Sequence, residues 1–339
     1  MTRPPLRTTS VFIVLTTAVV VLMLIAATIG PYRIPPLTVL KALGERLAGV
    51  GGNGAVETVL FNIRLPRIVA AVLVGAALAA AGAAYQSLFR NPLVSPDILG
   101  VSTGAGLGAV VGILLGMPVM VIQLFGFGGG LAIVLMVMTL SRMLRSSGDI
   151  LVLVLAGIVV GALAGAGISL VKVLADPYDQ LPAITFWLLG SLAGVKAGDV
   201  MSTLPAVAVG VAPLVLLRWR IGVLSLGDDE ARALGIEVAR LRVIVIAGAT
   251  LATASVVAIS GVIGWVGLMV PHMARLMVGP RFDRQLPAAI LIGAAFMIVV
   301  DTLARTAAAI EIPLGVLTAI IGGPMFVWLL ARSRRIIAP

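Results

Sequence analysis

The chain has 339 residues, 60% of them hydrophobic and only 11% charged, with a mean hydropathy of +1.17. That composition excludes a soluble globular domain and indicates an integral membrane protein. Cysteine is absent and His272 is the only histidine, which removes disulfides, thiolate nucleophiles and most metal or His-based catalytic sites. The net charge of +10 is spread through short loops rather than gathered on one face, so it signals membrane topology and not nucleic-acid binding.

The first apolar run, 11–29, follows Arg3 and Arg7 and is longer than the core of a usual signal sequence. No small-residue cleavage site follows it, and it reads as the first membrane helix. Ten spans are predicted in one all-α transmembrane domain covering 1–339: 11–30, 68–88, 97–116, 118–140, 150–172, 199–217, 242–260, 262–278, 286–305 and 313–331. Each has about the length needed to cross roughly 30 Å of hydrocarbon as helix.

An even count puts both termini on one side. With that side cytoplasmic, 16 of the 24 basic residues lie inside and eight outside, as the positive-inside rule requires. Two outer loops are long. The first, 31–63, contains Pro31, Pro35, Pro36 and Gly51-Gly-Asn-Gly54 and is expected to be irregular or a short interfacial element. The second, 173–198, is expected to hold a short helix around Phe186-Trp187, with Trp187 either an interfacial anchor or a substrate contact.

Small residues at spacing four, as in Gly75-x-x-x-Ala79, Gly104-x-Gly106-x-Gly108 and Gly157-x-x-x-Gly161-x-x-x-Gly165, predict closely packed helices. The spans of 68–172 and 242–331 form two groups of four around a middle span, which is compatible with an inverted repeat.

Four groups of residues stand out from the apolar background. Arg64-Leu-Pro-Arg67 lies at the outer mouth of the second span and Arg305 at the outer end of the ninth, against the charge bias. Guanidinium groups there suit the carboxylates of an external partner, though lipid headgroups or an internal Asp301–Arg305 pair would also account for them. The segment 85–100, with Asn91, Pro92, Leu93 and Pro96, joins the second and third spans on the inner side as a pathway constriction or a plain turn. In 261–275, Pro271 implies a kink or helix end, and His272 reads as a structural hydrogen-bonding group.

The fourth group is the block 218–242, which holds nine of the 38 charged residues in 25 positions. A short helix is predicted to begin after Gly227. Asp228, Asp229 and Glu230 suit its first turn, Leu226, Ala231, Ala233 and Leu234 give it an apolar contact surface, and Gly235 supplies a left-handed stop. A capped helix set in a charged loop is built to meet another protein in water. The dipeptide Gly-Lys occurs nowhere, so a phosphate-binding G-x-x-x-x-G-K-[ST] loop is absent and nucleotide energy would have to come from a partner chain.

Arg64-Leu-Pro-Arg67, Gln86-Ser-Leu-Phe-Arg-Asn-Pro-Leu93, Pro96-Asp-Ile-Leu-Gly100, Leu226-Gly-Asp-Asp-Glu-Ala-Arg-Ala-Leu-Gly235, Gly267-Leu-Met-Val-Pro-His272, Asp301-Thr-Leu-Ala-Arg305 and Pro313-Leu-Gly-Val-Leu-Thr318 together resemble the cobalamin and ferric-siderophore permeases of type II ABC importers, over roughly 60–332.

The resemblance implies a bacterial inner-membrane subunit with both termini cytoplasmic, paired with a second permease copy or paralogue across the pathway. It implies two cytoplasmic ATPase subunits docking on 226–235, and a periplasmic binding protein placing acids on Arg64, Arg67 and Arg305. A cytoplasmic gate is implied at Asn91, Pro92 and Leu93, with Ser146 and Ser147 approximating a second gate loop. No cofactor or metal is implied. Ferric siderophore is the expected cargo, with haem or cobalamin as alternatives. An ion-coupled secondary transporter is the alternative of a different class, but no carboxylate is placed at mid-membrane, Asp301 lying near an outer end. Enzyme chemistry in the membrane would need a paired-acid, metal or serine-dyad constellation that the sequence lacks.

Overall fold

The computed structural model describes residues 8–49, 54–144 and 150–337. The described residues form helices and connecting turns: α1 Thr8–Thr28, α2 Pro36–Leu47, α3 Ala55–Leu88, α4 Val101–Leu114, α5 Val119–Met143, α6 Ile150–Leu174, α7 Gln180–Leu189, α8 Ala197–Leu216, α9 Arg218–Leu224, α10 Asp228–Ala233, α11 Val238–Ser260, α12 Val266–Val278, α13 Phe282–Ala304 and α14 Leu314–Ile337. Seven of these, α1, α3, α5, α6, α8, α11 and α13, are long and apolar enough to cross a membrane. The predicted third, eighth and tenth spans fall on α4, on α12 and on α14, whose apolar part is Leu314–Leu329; all three are shorter apolar helices.

Within the predicted outer loop 31–63, the described residues include a short helix, α2. Pro36 opens α2, where its missing N–H costs nothing. The second span begins well before 68: α3 starts at Ala55, runs through π-type turns at Thr58–Arg64 and becomes regular α-helix from Leu65 to Leu88, with Pro66 in the first regular turn. The short helix expected in 173–198 is α7.

The eighth span is also shorter than expected. Gly261 to Trp265 is not helical, Trp265 takes a left-handed φ of 71°, and α12 has 13 residues. At 1.5 Å per residue it covers about 20 Å. Pro271 lies inside it rather than at an end. Just before the break, the Ser260 carbonyl at the end of α11 accepts from the Ser191 N–H at 2.8 Å.

The centre of the bundle is α3, α11 and α13, the most buried of the long helices. Glycine sets how closely they approach. A Cβ on Gly75 would strike the Gly293 carbonyl, and one on Gly293 the Gly75 carbonyl, so α3 and α13 touch backbone to backbone. In lipid that close contact supplies the dispersion energy that the hydrophobic effect supplies in water. Gly104 and Gly108 meet α5 in the same way and Gly157 meets the Ile98 carbonyl, whereas Gly165, in the same spaced motif, faces open space.

Candidate functional site

Polar groups collect at the two ends of α3. At its start, Arg64, the last residue of the π-type turns, and Arg67, in the first regular turn, are buried, 4% and 9% exposed. Arg64 donates from Nη1 to the Ala27 carbonyl at 2.6 Å and from Nη2 to the Tyr32 carbonyl. Arg305 reaches the same region from the end of α13, donating to the carbonyls of Ile29 at 2.7 Å and Ala26 at 2.6 Å. These two guanidinium groups stitch the end of α1 to α3 and α13.

Arg67 is engaged differently. Its Nε donates to Asp301 Oδ1 at 2.8 Å, and its two terminal nitrogens make a forked pair with Glu311 at 2.9 and 2.8 Å. Glu311 also accepts from Ser191 Oγ at 3.0 Å, so the pair reaches the turn between α7 and α8. Asp301 is buried, with Arg305 Nε 3.6 Å from its other oxygen. The internal Asp301–Arg305 pair weighed from the sequence is therefore present, and it belongs to a larger cluster. Forked guanidinium–carboxylate bonds are among the strongest polar contacts a protein makes.

Arg64, Arg67, Arg305, Glu311 and Tyr32 line one cavity of about 420 Å³, and Arg305 also borders a second of about 820 Å³. Glu311 carried one legible signal, being the lone acid between Asp301 and the chain end. Ser191 carried none.

At the other end of α3, Arg90 has φ +51°, and Leu93 N–H donates to Asn91 Oδ1 at 2.9 Å in an Asx turn that spans Pro92. A 3₁₀ turn, Pro96–Leu99, then leads into α4 through Gly100 at φ +77°. Leu93 is exposed. Ser146 and Ser147 lie outside the described residues.

The charged block folds against this end. It contains α9 as well as the predicted helix α10, which runs Asp228–Ala233 with all three acids in its first turn. Gly235 has φ +77°, and the Ile236 N–H donates back to the Ala231 carbonyl at 3.0 Å, the bond of a left-handed helix stop. Two expectations need correction. Ala231, predicted on the contact surface, is fully buried in the hydrophobic core, and Gly227 at the helix start is buried too. Asp228 also turns inward, 3.0 Å from Arg242 and 3.7 Å from Arg90. Outward remain Leu226, Asp229, Glu230, Ala233 and Leu234.

The two ring nitrogens of His272 are buried and have no hydrogen-bond partner among the described residues, and its ring meets Phe326 edge-on at 6.4 Å.

Residues 18–332 match the FecCD transport family. The chain belongs to that family. It is 36% identical over 325 residues to the molybdate import system permease of Haemophilus influenzae, covering 95% of both proteins. It is 39% identical over 280 residues to a probable iron chelatin transport system permease of Helicobacter pylori, covering 83% of this chain and 84% of that one. A solved chain described as the inward-facing conformation of a metal-chelate type ABC transporter superposes with a TM-score of 0.85 at 35% identity, over 95% of this chain and 99% of that one. This FecCD protein is a multi-span ABC importer permease, a transport subunit and not an enzyme.

Proposed function

We propose that this FecCD permease carries a ferric siderophore from periplasm to cytoplasm across the bacterial inner membrane, both termini cytoplasmic, in a complex with a second permease copy or paralogue. Two ATPase subunits dock on 226–235, and a periplasmic binding protein docks at the cavity of Arg64 and Arg305. The reading rests above all on α10: a capped helix that keeps Leu226 and Leu234 exposed, 64% and 57%, among charges. Exposed leucines on a rigid stub suit a protein groove better than open water.

ATP-driven closure of the ATPase pair shifts α10, and the bundle changes between two openings because each state of the ATPases favours one of them. Asn91, Pro92 and Leu93 form the inner constriction. At the outer mouth, Arg64 has no carboxylate partner among the described residues, only carbonyls, so its positive charge is left unneutralised beside the cavity that it lines. Arg67 already holds two carboxylates, so its charge is neutralised within the cluster.

The iron chelatin relative and the metal-chelate structure support the siderophore cargo. The test is uptake into liposomes holding the chain with its ATPase and binding protein. ATP-dependent uptake is expected, with the binding protein preferring ferric siderophores over haem, cobalamin and molybdate. Uptake driven by an ion gradient without ATPase would overturn the permease reading; a binding protein that takes only haem, cobalamin or molybdate would overturn the cargo.

A further inference from the structure

We propose that Arg90 and Asp228 form the charge relay that carries movement of α10 to the loop at the inner end of α3, an inference that rests on the permease reading above. Of the three acids in the first turn of α10, Asp229 is turned to water, its side chain 94% exposed, while Asp228 points into the protein at 24%. The Asp228 carboxylate accepts from Arg242 Nη2 at 3.0 and 3.2 Å, which fixes it against the start of α11. Its Oδ1 also lies 3.7 Å from Arg90 Nη2, across 138 positions of sequence. One carboxylate thus joins the partner-facing helix, the next long helix and the loop of Asn91 to Leu93.

Arg90 is held for this task. A non-glycine residue in the left-handed region costs about 1 kcal/mol, and here the conformation is fixed by the Arg90 N–H to the Ser87 carbonyl at 3.3 Å and the Asn91 N–H to the Gln86 carbonyl at 3.1 Å. A second, uncharged tie runs beside the ion pair: Ser87 Oγ donates to the Ile221 carbonyl of α9 at 3.0 Å. The end of α3 is therefore linked to both short helices of the block. Behind the loop, a cavity of about 160 Å³ bordered by Gln86, Arg90, Asn91 and Arg275 gives it room to move. A displacement of α10 pulls on Arg90 through charge, and the loop shifts with it.

The Arg90 side chain is 42% exposed, and half-exposed pairs add little to stability. Its removal should then change coupling far more than folding. Cargo uptake per ATP hydrolysed is measured in liposomes containing the whole complex, beside the thermal midpoint of each variant. Arg90→Met and Arg90→Glu are expected to lower uptake per ATP about five-fold, Arg90→Lys to keep at least half of it, and the exchange of Arg90→Asp with Asp228→Arg to recover more than the single changes allow. Midpoints of the Arg90 variants should stay within about 2 °C. Arg90→Lys behaving like Arg90→Met, or no loss in either, overturns the relay even if the exchange variant fails to fold. In those cases ATP-dependent uptake by the unaltered complex leaves the permease reading standing; uptake without ATP removes both.

Discussion

Arg67 and Asp301, separated by 234 positions of sequence, meet at 2.8 Å in the interior, where the regular turns of α3 begin, and Glu311 closes the fork on the guanidinium's other side. Asp301 is the buried acid shared by Arg67 and Arg305, and breaking a buried ion pair costs about 3–5 kcal/mol. Asp301→Ala should therefore lower the thermal midpoint markedly. Glu311→Ala should lower it less, because its side chain is 27% exposed and water can replace it. Thermal unfolding of both variants in detergent tests the order; equal losses would contradict it.

The same cluster predicts opposite signs for docking. Arg64→Gln removes an uncompensated positive charge from the mouth and should weaken association with the binding protein while flattening its salt dependence. Glu311→Gln removes a negative charge from the same cavity and should tighten association about two-fold. Titration of the binding protein at two salt concentrations reads both. Weakening by Glu311→Gln would show that Arg67 must stay clamped for docking.

Gly75 and Gly165 share a sequence signal but not a surrounding. Gly75→Ala forces apart two backbones that already touch and should cost at least about 2 kcal/mol, like other overpacked contacts. Gly165→Ala meets nothing within 4 Å and should stabilise the isolated chain by about 0.5–1 kcal/mol through helix propensity. Midpoints of the two single variants decide it.

In α10 the structure separates residues that face a partner from residues that hold the helix. Leu234→Asp should weaken ATPase retention at least ten-fold, about 1.4 kcal/mol, with the midpoint nearly unchanged. Ala231→Leu should lower the midpoint, since Ala231 has no free surface. Co-purification of the ATPase, set beside thermal unfolding, distinguishes the two. Loss of ATPase from both variants at equal midpoints would mean that Ala231 also touches the partner.

Hydropathy over windows of about twenty residues placed the long spans, because crossing hydrocarbon is a demand that each segment meets from its own composition. The start and stop of α10 were legible for a related reason: acids at a helix start and glycine beyond its end act within one turn. Glycine spacing announced tight packing but could not say which glycines face a neighbour, and Gly165 does not. The helix in 31–63, the break before α12 and the inward turn of Ala231 likewise depend on what packs alongside. The charge pairs were out of reach altogether. With 24 basic and 14 acidic residues, nothing local joins Arg67 to Asp301 and Glu311, or Arg90 to Asp228. Only the folding of the bundle around α3 brings them within Coulomb range, where desolvation makes each choice of partner count.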